Sequence, residues 1–190
     1  MNRREAISRV ALMLGGTVIG ANLFIEIGCT SKDNSVKNLF DQSDIKLLDE
    51  IAETIIPETD SPGAKAAGVG AFMTVMVKDC YTPEDQKIFV KGLESVDDAS
   101  DKIFGKKFLE ITSEQRKELL ISLDKEQKDV QSTKKPEEPN HYFRMMKELT
   151  LLGYFTSEVG ATKALRYVAV PGKYDGCVPY KKGDKAWAVS

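Results

Sequence analysis

The chain has 190 residues, with 27 basic and 29 acidic side chains and a formal net charge of −2, so no basic stripe marks it as a nucleic-acid binder. One histidine and three cysteines leave no ordinary zinc-site constellation. The absence of CxxC and CxxCH argues against a thioredoxin-like centre and against a covalent c-type haem in this chain.

The first segment, "MNRREAISRVALMLGGTVIGANLFIEIGCTSKD", has the layout of an export signal: basic start, apolar middle, small residues before a break. Its uncharged run, Val10 to Ile25, is shorter than the ~20 apolar residues of a spanning helix and is loosened by Gly15, Gly16 and Gly20. The adjacent Arg3 and Arg4 ahead of a weakly hydrophobic core resemble a twin-arginine signal, which exports proteins already folded. A general secretory signal and a buried N-terminal helix are the alternatives. Gly28–Cys29 resembles the end of a lipobox, with Glu26 where that pattern has Leu, so Cys29 is the candidate lipidation site. A buried cysteine, or an unlipidated signal cut nearby, is the other possibility. Residues 1–28 are thus expected to be the signal, 29–42 a polar tether, and 43–190 one helical domain. About 160 residues remain beyond the signal, enough for a single domain with a sizeable core.

In "SDIKLLDEIAETIIP", Ile45, Leu48, Ile51, Ala52 and Ile55 recur at three- and four-residue steps and predict an amphipathic helix ended by Pro57. "VGAFMTVMVKDC" repeats the pattern, with Val69, Phe72, Met73, Met76, Val77 and Cys80 expected on one face. Its methionines are expected as core filler. "TPEDQKIFVKGLESV" opens a third helix with Thr82 as N-cap, Pro83 in the first turn, and Glu84 and Asp85 favouring the dipole, with Gly105 as its stop. A capping box, Thr112 to Gln115, starts the fourth, whose apolar face is Leu119, Leu120 and Leu123. After the two-proline loop "KKPEEPN", "HYFRMMKELTLLGYF" is expected to be the central helix, facing inward with Tyr142, Phe143, Met146, Leu149, Leu152 and Phe155. Thr156 or Ser157 caps a short last helix through Leu165, and "PGKYDGCVPYKKGDKAWAVS" is an aperiodic tail. No strand pair is evident. The fold class is all-α: one irregular multi-helix domain with long loops and an extended C-terminal tail.

Chemistry is hard to find. "GAKAAGVGAF" follows a helix and a proline loop and matches neither GxGxxG nor GxxxxGK, so its small residues are read as close-packing elements. Glu58 and Asp60 are read as turn residues before cation ligands. His141, where a loop enters a helix, is read as a surface or capping residue, since no catalytic partner can be named for it. No catalytic, cofactor-binding or metal-binding residue is assigned, and enzyme activity of the chain by itself is not expected.

Three pieces, "IIPETDSPGA", "LTLLGYFTSEVG" and "PGKYDG", are too idiosyncratic for general helical packing to demand. With their surroundings, from about Leu39 to Tyr180, they resemble the small subunit, subunit 3, of gluconate 2-dehydrogenase. The resemblance implies an accessory subunit that holds neither flavin nor haem. Its partner would be an FAD-bearing flavoprotein dehydrogenase of the glucose-methanol-choline type, acting on a sugar or sugar-acid hydroxyl, and a cytochrome c subunit with haem c would take the electrons onward. The small subunit would assist assembly of the catalytic subunit and carry it through the twin-arginine route, leaving both periplasmic or membrane-anchored through a lipid on Cys29. A stand-alone envelope lipoprotein acting as a binding module is the alternative.

Aromatics on irregular segments are favoured interface anchors. Tyr154, Tyr174, Cys177, Tyr180 and Trp187 are therefore the candidate partner-facing residues, while Phe155, on the expected central-helix face, is assigned to the core. Cys177 is a candidate for a disulfide to the partner subunit, and a Cys80–Cys177 bridge pinning the tail is the competing possibility.

Overall fold

The structure, a computed structural model, describes residues 39–170, 172–173 and 176–188. The candidate signal residues Arg3 and Arg4, the candidate lipidation site Cys29 and the interface candidate Tyr174 lie outside the described residues. Among the described residues there are five α-helices: α1 (Gln42–Ile55), α2 (Val69–Cys80), α3 (Pro83–Phe104), α4 (Ser113–Thr133) and α5 (Tyr142–Thr156). A short 3-10 turn, Phe108–Glu110, precedes α4, and a π-helical turn, Gly160–Ala164, follows α5. One isolated β-bridge joins Arg166 to Trp187. The all-α class is the observed one. No helix among the described residues is long and apolar enough to cross a membrane.

Local chemistry explains each helix boundary. Asp41 closes the N-terminus of α1 by accepting from the backbone N–H groups of Ser43 and Asp44, while Asp44 accepts from the Asp41 N–H in return. Thr82 caps α3 ahead of Pro83, and Gly105 ends that helix in the left-handed conformation at φ 68°. Thr112 and Gln115 exchange the two bonds of a capping box at α4. His141 is a cap as well: its Nδ1 accepts from the Phe143 N–H at 3.2 Å, and its ring lies 4.3 Å from that of Tyr142. The compact unit begins at Leu39. Leu39 and Phe40, assigned above to the tether, pack against the core, with Phe40 edge-on to Phe89 at 6.0 Å.

α5 packs against each of the four other helices and is the centre of the domain. Leu48, Ile51, Met73, Val77, Phe89, Phe143 and Met146 meet in one core. Gly92 lets α3 come close to α5, since a Cβ there would lie 2.5 Å from the Cβ of Tyr142. Gly153 does the same for α2, where a Cβ would lie 2.6 Å from the Phe72 ring. Cys80, expected on the inward face of α2, is the last residue of that helix and is exposed. Its thiol is free, so the structure contains no Cys80–Cys177 bridge.

One ionic joint ties α4 to α5. Asp124 accepts from Lys147 at 2.6 Å and pairs with Lys128 at 2.7 Å, and the two ammonium groups, Lys128 first, hold its carboxyl down at about 2 against an ordinary 3.8. A carboxylate whose pKa is depressed on folding stabilises the fold above its unfolded pKa and loses that contribution as pH falls through the folded value. The loss therefore runs from near pH 4 to near pH 2. Urea midpoints of the wild type and Asp124→Asn at pH 7 and pH 3 check this: the gap between the proteins should narrow at the lower pH.

Candidate partner-binding surface

The surface is built from three segments: the loop between α1 and α2, helix α5, and the tail that follows α5. The loop between α1 and α2 is stapled by carboxylates on α1. Glu53 accepts from the backbone N–H of Glu58 at 2.8 Å and of Lys65 at 2.9 Å, and Asp49 accepts from Gly70 at 2.9 Å. Gly63 is required there, because a Cβ would fall on the Glu53 carboxylate. Gly68, at φ 68°, turns the chain into α2. The glycine-rich stretch thus serves close approach of a loop to a helix, and the protein groups that converge on its N–H donors are carboxylates. Glu58 and Asp60 project from this loop as exposed residues. No group of three or more potential ligands for a metal ion occurs among the described residues.

Beside the loop, Glu50 pairs with Lys65 and, at 2.6 Å, with Arg116. Lys65 first and then Arg116 hold the Glu50 carboxyl below its ordinary value. Arg116 also donates to the carbonyls of Phe108 and Leu109 at 3.0 and 2.7 Å, with its guanidinium 5.6 Å from the Phe108 ring centroid. Every nitrogen of the fork therefore has a partner, and α1, the 3-10 turn and α4 are locked through one side chain.

The second segment is α5. Tyr154 donates its hydroxyl proton to the Pro62 carbonyl at 2.7 Å, tying "LTLLGYF" to "IIPETDSPGA". Two of the three pieces that carry the family resemblance thus meet in space. Tyr154 is only 2% exposed, which corrects its assignment as a partner-facing residue: the ring fills the core. Phe155 is corrected in the opposite sense. It is 41% exposed, and with Leu151 and Leu152 it forms an uncovered apolar face on α5. The reason is helical geometry. From Phe143, eleven residues make three turns to within about 20°, whereas twelve overshoot by about 120°.

The third segment is the tail. Ser157 ends α5 and accepts from the Gly160 N–H at 3.0 Å, and Gly160 sits so close over the Tyr154 carbonyl that a side chain there would collide with it. From this turn the chain leaves the core. Tyr180 is 77% exposed and Trp187 46%, and Cys177 is exposed as well. The Arg166 guanidinium stacks 4.5 Å from the Trp187 ring centroid and lies 3.6 Å from the Asp184 carboxylate. Sequence reasoning missed Arg166, Asp49, Glu53 and Arg116, since charged residues on amphipathic helices look like a solvated face until their partners are located. An acidic residue within helix reach of a glycine-rich loop was the only available signal.

Four helices thus pack around a central one, and among the described residues an apolar helix face and aromatic side chains of the tail are left uncovered. Residues 42–172 match the gluconate 2-dehydrogenase subunit 3 family, and the chain belongs to that family, as an accessory subunit of an oxidoreductase complex. Comparisons with curated proteins and with solved structures returned no match.

Proposed function

We propose that this chain is the non-catalytic small subunit of an exported, flavin-dependent dehydrogenase of the glucose-methanol-choline type that oxidises a sugar or sugar-acid hydroxyl. FAD resides in the partner flavoprotein, and a cytochrome c subunit carrying haem c receives the electrons. The observation that carries this reading is the family match over residues 42–172. Arg3 and Arg4 supply the export signal for the pair, and a lipid on Cys29 retains the assembled complex at the membrane of the periplasmic compartment. The small subunit then acts as scaffold: a rigid helical body, stapled at the Glu53, Tyr154 and Arg116 joints, holds the α5 face and the tail against the flavoprotein. Tyr174, Cys177, Tyr180 and Trp187 belong to that contact, and Cys177 forms an intersubunit disulfide once the complex reaches an oxidising compartment.

The test replaces Arg3 and Arg4 together by lysine in cells producing both subunits. Periplasmic dehydrogenase activity is expected to fall at least tenfold while the complex accumulates in the cytoplasm. Unchanged periplasmic activity would overturn the export role, and normal export of a colourless chain alone would favour an independent envelope lipoprotein.

A further inference from the structure

The two ends of the domain differ in charge. From Leu39 to Leu165 the chain carries 17 basic and 24 acidic residues, a net of −7. From Arg166 to Ala188 it carries five basic residues against Asp175 and Asp184, a net of +3. This cationic segment is not used to neutralise the acidic body. Among the described residues no ion pair engages Lys173, Lys181 or Lys182, and the one bridge made by the segment, Arg166 to Asp184, is internal to it. Among the described residues none beyond Arg166 belongs to the core, and Tyr167, Val170 and Tyr180 are all exposed.

The segment is nevertheless closed at its base. The Arg166 N–H donates to the Ala186 carbonyl and the Ala188 N–H to the Arg166 carbonyl, each at 2.8 Å. The Arg166 guanidinium stacks on Trp187, and the Lys185 ammonium donates to the Lys163 carbonyl. Two backbone bonds, a cation–π contact and an ion pair therefore hold the 184–188 end of the tail against Arg166. The far side of this clasp, Asp184 to Trp187, lies beyond residue 172, where the family match ends. Closing such a loop in advance removes part of the ordering cost of binding.

We infer that residues 167–186 are a pre-closed cationic arm that lies on an acidic surface of the dehydrogenase subunit, with Arg166 as the residue that holds the arm in its binding shape. The inference rests on the accessory-subunit reading. Opposite charge steers the encounter, and Tyr167, Val170 and Tyr180 supply the apolar contact once the arm is seated. Arg166 acts through the arm's shape, so it is a positioning residue.

The test uses the full chain and the flavoprotein dehydrogenase subunit proposed as its partner, and measures association at 50 and 300 mM NaCl. Lys173, Lys181 and Lys182 are changed together to glutamine in one variant, and Arg166 to alanine or lysine in two others. The charge variant is expected to bind at least tenfold more weakly at low salt and to lose most of its salt dependence. Arg166→Ala is expected to weaken binding about tenfold through a slower on-rate, with the thermal midpoint of the helical body unchanged, and Arg166→Lys to recover part of it. Wild-type affinity and salt slope in all three variants would overturn the arm while leaving the accessory reading intact. Failure of the wild-type chain to bind the flavoprotein at either salt would remove the accessory reading itself. Charge-dependent binding to phosphatidylglycerol vesicles, or charge-dependent dimerisation, with flavoprotein affinity unaltered would assign the arm to a lipid surface or to a second copy and overturn the proposal.

Discussion

Tyr154→Ala is expected to lower the stability of the domain by about 3–5 kcal/mol, the range for truncating a fully buried aromatic side chain. The side chain has two tasks. Its ring is buried in the core, with the exposed Phe155 edge-on to it at 5.2 Å between centroids, and its hydroxyl pins the Pro62 carbonyl of the loop between α1 and α2. Tyr154→Phe separates them. It keeps the ring and leaves the Pro62 carbonyl without that donor, a cost of about 1–2 kcal/mol. For a domain of this size the alanine variant should melt roughly 8–15 °C lower. Thermal melts of the two variants check the assignment. A phenylalanine variant as unstable as the alanine one would mean that the hydroxyl, not the ring, dominates the site. Two variants near wild type would show that the ring is not in the core.

Arg116→Ala should have the next largest effect, about 2–4 kcal/mol. Its side chain is 17% exposed, so the charge is largely withdrawn from water, and removing one member of such a pair leaves the other uncompensated. The loss stays below the full penalty for a buried pair because Glu50 keeps Lys65. Two carbonyls, of Phe108 and Leu109, lose their donor as well. Lysine cannot restore the fork, since an ammonium presents no planar pair of N–H groups to a carboxylate and two carbonyls at once. Arg116→Lys is therefore expected to recover less than half of the loss. Urea unfolding of Arg116→Ala, Glu50→Gln and the double variant gives the coupling between the two residues, which should exceed about 1 kcal/mol. A coupling near zero would reduce the pair to a surface contact.

Much of the domain was legible in the chain because the signals were local. Thr82, Thr112 and Gly105 announce helix ends through bonds that reach only three or four residues. For His141 the entry of a loop into a helix leaves a surface or a capping role open, and the bond its Nδ1 accepts from the Phe143 N–H makes it a cap. Long-range placement was harder. The inward face of α5 was traced by steps of three from Phe143 to Phe155, and each such step drifts by about 60° around the helix. The drift exchanged Tyr154 for Phe155 and placed Leu152 inside. A count of eleven from Phe143 reaches Tyr154, so the information was present in the spacing. The staples from Glu53 and Asp49 were not legible, because nothing in a helix's own sequence states which loop will fold over its polar edge. The same holds for Arg166 and Trp187, which meet only because the tail doubles back across twenty intervening residues.

The strongest polar joints of the domain serve rigidity. Glu50, Glu53, Asp124 and Arg116 hold helices and loops together, and the large apolar and aromatic side chains left uncovered include Leu151, Leu152, Phe155, Tyr180 and Trp187. An interaction subunit needs that division, with a firm frame behind an exposed set of anchors.

The measurement that tests the central claim most directly is co-purification. The full chain, carrying an affinity tag, is produced with the flavoprotein subunit proposed as its partner, the periplasmic fraction is purified through the tag, and the eluate is scanned for flavin absorbance. Stoichiometric recovery of a yellow partner with sugar- or sugar-acid-dependent dehydrogenase activity is the predicted result. A colourless eluate containing this chain alone, at low and at high salt, would contradict the account.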